Sequence, residues 1–188
     1  MLSVLLLLTA AHADEGLSGQ AFVPAPVAGH AVFDFRVGAG TTDLHHPTVC
    51  AEVAPVAWLS VEGCGTGSGF LHHGDQPDMA HFRARAASKT WRRGRSEVDA
   101  RLGLGFAEIQ STADQAGFLF GEARTADPIE AAGPELSASA HGRWWLDQAF
   151  YATADLNVGA AHIPAAPDVM GRGGPVVPFA SATFGFGF

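Results

Sequence analysis

After residue 31, apolar and polar side chains alternate along most of the chain. A period of two belongs to strands, whose side chains point to opposite faces in turn. The most regular stretch is VVPFASATFGFGF (176–188), where Ala180, Ala182, Phe184, Phe186 and Phe188 share one face and Phe179, Ser181, Thr183, Gly185 and Gly187 the other. In AVFDFRVGAG (31–40), Ala31, Phe33, Phe35 and Val37 lie opposite Asp34, Arg36, Gly38 and Gly40. Residues 48–54 set Val49, Ala51 and Val53 against Cys50 and Glu52, and Pro55, which cannot donate to a ladder, reads as a turn. Residues 58–66 set Leu59, Val61 and Gly63 against Ser60, Glu62 and Cys64.

The middle of the chain repeats the pattern. Residues 79–90 place Phe82, Ala84 and Ala86 opposite His81, Arg83 and Arg85, and 92–95 reads as a short turn. Residues 96–109 place Val98, Ala100, Leu102, Leu104 and Phe106 opposite Glu97, Asp99, Arg101, Gly103 and Gly105. No period is sustained over 110–133, which reads as a long loop. A weaker strand, 134–141, carries Leu136, Ala138 and Ala140 on one face, with Trp144 and Trp145 in the turn beyond it. Residues 149–161 set Phe150, Ala152, Ala154, Leu156 and Val158 against Tyr151, Thr153, Asp155 and Asn157, and a Gly/Pro-rich loop leads on to the last strand.

Eight strands result, joined alternately by long connections (41–47, 67–78, 110–133, 162–175) and short ones (55–57, 91–95, 142–148). This pattern resembles the bacterial outer-membrane β-barrels, in particular the small eight-stranded OmpA/OmpX-like class, over residues 31–188. The resemblance implies an all-β, antiparallel, up-and-down transmembrane barrel with short periplasmic turns and longer extracellular loops. Apolar faces would meet outer-membrane lipid, and Trp58, Trp144 and Trp145 would sit at the membrane boundary. It also implies that Phe184, Phe186 and Phe188 form the insertion signal read by the barrel-assembly machinery. The alternative fold is a soluble eight-stranded barrel or sandwich, in which the Phe faces would point into a closed core.

Composition is consistent with hydrophobicity hidden in alternation: 47% hydrophobic and 16% charged residues, with a mean hydropathy of +0.14. Residues 1–13, MLSVLLLLTAAHA, read as a cleaved secretory signal peptide, with an apolar run too short to span a bilayer and Ala11 and Ala13 at the cleavage positions. Residues 14–30, rich in Gly, Pro and Ala, read as a flexible periplasmic lead-in. The net charge of −8 argues against nucleic-acid binding, which needs a basic footprint.

The inward positions carry the candidate chemistry. Cys50 and Cys64 are the two cysteines, and a hairpin centred near Ala57 sets them opposite each other, the arrangement of a disulfide in an exported chain. The same register opposes Glu52 and Glu62, which repel unless compensated. Arg36 and Arg83 on the flanking strands can reach them. With Asp34, Arg85, Glu97, Asp99, Arg101 and Asp155 they make a lumen of mixed charge. An eight-stranded barrel is only wide enough for side chains to fill, so these groups read as a salt-bridged plug and not as a paired-carboxylate acid/base site.

His45, His46, His72 and His73 fall in extracellular loops without a zinc-ligand spacing. Ser139 and His141 share the lumen face with Glu135. The lipid A deacylases of this barrel class carry His-x-Ser where this chain has Ser-x-His, so no catalytic residue carries over. The sequence thus points to no cofactor and no enzymatic activity, but to a structural or surface-interaction role; an enzyme at the barrel rim and a narrow passive channel are the alternatives.

Overall fold

Strands β1 (Val32–Gly40), β2 (Thr48–Val56), β3 (Leu59–Gly65), β4 (Asp78–Arg93), β5 (Ser96–Gln110), β6 (Glu130–Trp145), β7 (Tyr151–His162) and β8 (Val176–Gly187) follow one another in the chain, and a short helix α1 (Ala166–Met170) precedes β8. Each strand pairs antiparallel with the next, and β8 pairs with β1, so the sheet closes into an eight-stranded up-and-down barrel. The computed structural model describes residues 32–42, 46–66, 77–110, 130–147, 149–171 and 173–188. The leader and lead-in expected over 1–30 lie outside the described residues.

Closure comes with a fixed stagger. Crossing from Asp34 through Glu52, Glu62, Arg83, Gly105, Glu135 and Ala161 leads to Val177, ten residues short of Gly187, Asp34's own partner on β8. A stagger of this kind goes with strands tilted by roughly 35–45° to the barrel axis. Closure itself removes the free sheet edges on which an open sheet would aggregate.

The pleat sorts side chains as the alternation requires. Leu102, Leu104, Leu136, Leu156, Val158, Phe184 and Phe186 are each more than half exposed, whereas Asp34, Arg36, Glu52, Glu62, Arg85, Asp99 and His141 are buried. This is the inverse of a closed apolar core behind a polar surface, and it rules out the alternative fold.

Several boundaries differ from the sequence expectation. Pro55 lies inside β2 at a register irregularity between Val53 and Val56, a place where a missing ladder donor is tolerated, and the turn is Ala57–Trp58. β4 runs on to Arg93, leaving a two-residue turn at Gly94 and Arg95, with Gly94 at a φ of 59°. β6 starts at Glu130, and residues 130–133 pair with β5, so this end of the expected long loop is strand. β6 also extends through Trp144 and Trp145. In both cases a long partner strand supplied a ladder that local composition did not announce. The connection before β8 contains α1, ended by Gly171 in the left-handed region.

A small apolar core fills the end of the lumen away from the chain's C-terminus. Met79, Ala107, Ile109, Ala131, Ala161, Ile163, Val177 and Phe179 point inward there, closed by Ala165, Ala166 and Val169 of the α1 segment. The rest of the lumen is ionic.

Candidate functional site

Among the described residues, five buried arginines and seven buried carboxylates pair within the barrel. The pleat alone accounts for their position, because each occupies an inward slot of a strand whose outward slots are apolar. Room for the long side chains comes from glycine. A Cβ at Gly103 would fall 2.4 Å from Ser137 Oγ and 3.4 Å from Arg83 Cδ.

Cys50 and Cys64 face each other across β2 and β3, joined by a disulfide, with their Cα atoms 4.1 Å apart. Two residues along, Glu52 faces Glu62. The repulsion of this pair is met from both sides. Arg36 Nη2 donates to Glu52 Oε2 at 2.7 Å and also to Glu62. Arg85 Nη1 donates to Glu52 Oε2 at 3.0 Å and again to Glu62. Arg83 Nε donates to the other oxygen of Glu62 at 2.6 Å, and Arg101 donates to the other oxygen of Glu52. Each carboxylate therefore accepts from three guanidinium groups, so the buried charges are paired and hydrogen-bonded, the condition under which burial is tolerated.

The network extends to either side of this centre. Asp155 on β7 accepts from Arg85 and lies 3.3 Å from Arg36 Nη1. Asp34 Oδ1 is 2.8 Å from Arg36 Nε. Toward the C-terminal rim, Arg101 Nη2 donates to Asp99 at 2.9 Å, and Arg143 Nη2 joins Asp99 to Glu97, the latter at 2.7 Å. Toward the apolar core, His81 Nδ1 lies 2.6 Å from Glu135, which also accepts from Arg83 at 3.3 Å. The Phe179 ring covers this end, 4.4 Å from the His81 ring and 5.7 Å from the Arg83 guanidinium carbon.

Every charged residue assigned to the lumen from sequence is thus brought into one connected set. Arg143, and the pairing of His81 with Glu135, escaped that reading. Arg143 falls within the expected short connection 142–148, yet the run Glu135, Ser137, Ser139, His141, Arg143 continues the polar period of β6 and locates it on the inward face.

Ser139 and His141 do not form a nucleophile and base. The Ser139 hydroxyl is held by Arg85 Nη2. The His141 ring lies between Asp155, 3.2 Å from Nδ1, and the Thr153 hydroxyl, 3.3 Å from Nε2. Among the described residues, two groups have metal-like geometry. Asp34, Glu52 and His141 bring ligand atoms within 4.8 Å of one another, but Arg36 and Arg101 already supply the positive charge to these carboxylates. In the group Cys50, Glu62 and Cys64, both sulfurs are consumed by the disulfide. His45, His72 and His73 lie outside the described residues.

The class that this architecture defines is the small, eight-stranded, up-and-down β-barrel with an ionic interior. Known structures to which the chain's fold is similar include the N-terminal β-barrel domain of Pseudomonas aeruginosa OprF, at 9% identity and a TM-score of 0.44 over 84% of this chain and 96% of that one. Neisserial surface protein A is similar at 10% identity and a TM-score of 0.48, over 84% and 94% of the two chains. Ail, the attachment invasion locus protein of Yersinia pestis, is similar at 13% identity and a TM-score of 0.39, over 84% and 96%. No protein-family model matches the chain, and no curated protein matches it.

Proposed function

We propose that this protein is an integral outer-membrane barrel, exported with a cleaved leader, that spans the bilayer as a sealed unit and serves a structural or surface-interaction role. One observation carries the reading: the wall is apolar where exposed and ionic where buried. Leucine, valine and phenylalanine side chains on β1 to β8 face outward, and outward burial in hydrocarbon is the environment that makes them favourable. A closed antiparallel barrel is also one of only two backbone arrangements that satisfy every peptide group within lipid.

The sealed lumen argues for anchoring or recognition by the loops over conduction. The ion-pair layer and the apolar core fill it in series. Outer-membrane lipid and, during insertion, the barrel-assembly machinery are the partners this reading implies, and nucleic acid is not among them. With short turns placed in the periplasm, the longer connections before β2, β4, β6 and β8 face outward and would carry any recognition.

Fractionation tests the reading. Expressed with its leader in a Gram-negative host, the protein should sediment with the outer membrane and resist urea extraction. Unheated samples should migrate faster in detergent gels than boiled ones, because the folded barrel stays compact. Recovery of a folded, urea-extractable protein from the periplasmic fluid would overturn it.

A further inference from the structure

Among the described residues, five basic side chains lie in the lumen, and the other basic ones are gathered in one place. Lys89, Arg92, Arg93 and Arg95 all belong to the tip of the β4–β5 hairpin, and all are exposed. No other exposed Lys or Arg occurs among the described residues, in a chain of net charge −8. Lys89 is the only lysine in the sequence.

For the three on β4, Lys89, Arg92 and Arg93, the register fixes where the side chains point, and Arg95 lies exposed in the turn beyond them. Past the irregularity between Ala87 and Lys89, Lys89 pairs with Ala100, Trp91 with Val98 and Arg93 with Ser96. Val98 belongs to the outward face that Leu102 and Leu104 continue, so Lys89, Trp91 and Arg93 stand on that same face. Thr90 and Arg92 stand on the opposite one, where Thr90 donates to Asp99 Oδ1 at 2.7 Å and Arg92 pairs with Glu97. The nearby acidic side chains are therefore turned inward, away from Lys89 and Arg93. Lys89 Nζ lies 5.0 Å from the centre of the Trp91 ring. The chain's four tryptophans, Trp58, Trp91, Trp144 and Trp145, all lie at this same rim, in the β2–β3 turn or near the ends of β4 and β6.

We propose that Lys89, Arg93 and Arg95 bind anionic phospholipid headgroups at the periplasmic rim of the barrel, with Trp91 as the anchor beside them. The inference rests on the membrane-spanning reading above. Cation, aromatic ring and cation alternate on the wall that lipid tails would cover, so the headgroups of those same lipids meet them. The methylene stems of Lys89 and Arg93 can lie along the wall while their charged heads reach phosphate oxygens. Indole rings favour the same depth, and basic residues near an anionic leaflet are held there electrostatically.

Tryptophan quenching in reconstituted bilayers tests this, with brominated phosphatidylglycerol or brominated phosphatidylcholine as the probe. Both lipids should quench, because the tryptophans line the membrane boundary. The anionic lipid should be preferred by at least about fivefold, the change expected of one basic residue near a charged surface. The preference should shrink with added salt and approach unity in the K89Q/R93Q/R95Q variant, whose fold is checked by heat-modifiable migration. Equal quenching by the two lipids in the wild-type protein would overturn the site while leaving the spanning barrel intact, as would an undiminished preference in the folded variant. Absence of quenching by either lipid would overturn the spanning reading, and the site with it.

Discussion

Glu62 shows how a single residue is held in this interior. It accepts from Arg36, Arg83 and Arg85 and is almost wholly buried. Replacing it with glutamine keeps the shape and removes the charge, so three guanidinium groups lose a common partner away from water. Breaking a buried pair in this way costs about 3–5 kcal/mol. Arg92 provides the contrast: it pairs with Glu97, but its side chain is 59% exposed. Exposed pairs are worth about 0–1 kcal/mol. Equilibrium unfolding by urea in detergent micelles should therefore show a large loss of stability for Glu62→Gln and a small one for Arg92→Gln. Equal losses for the two would mean that the interior network is solvated.

At the scale of elements, each strand is a two-sided wall whose faces are set by parity. That is why so much was legible in the sequence. The outward leucines of β5, the inward arginines of β4 and the Cys50–Cys64 and Glu52–Glu62 pairings follow from alternation together with the position of one turn. Strand ends were less legible. Whether Glu130–Gly133 pairs with β5, or Trp144 and Trp145 with the start of β5 and with β7, depends on how long the neighbouring strand is, and local composition does not carry that.

The apolar core was not foreseen for a related reason. Ile109, Met79 and Val177 continue the inward parity of strands whose inward residues further along are polar or small, so the lumen changes character partway along its length. Phe179 joins the two layers, covering His81 and Arg83 from the apolar side. Phe179→Ala should open a cavity there and destabilise the barrel by about 3–5 kcal/mol. The measurement is the same urea titration, and a change below about 1 kcal/mol would show that this ring is not tightly packed at the junction of the two layers.

Taken as a whole molecule, the barrel inverts the arrangement of a water-soluble protein, and the proposed membrane role rests on that inversion. Electron paramagnetic resonance of nitroxide labels on single introduced cysteines, in reconstituted bilayers, tests it most directly. The native Cys50 and Cys64 are joined and do not compete for the label. Labels at Leu102, Leu104, Leu136 and Leu156 should collide freely with oxygen dissolved in lipid and be shielded from a water-soluble nickel chelate. A label replacing the inward-facing Ser137 should be shielded from both. Nickel access at the leucine positions would contradict a lipid-facing wall, and nickel access at Ser137 would contradict a sealed interior.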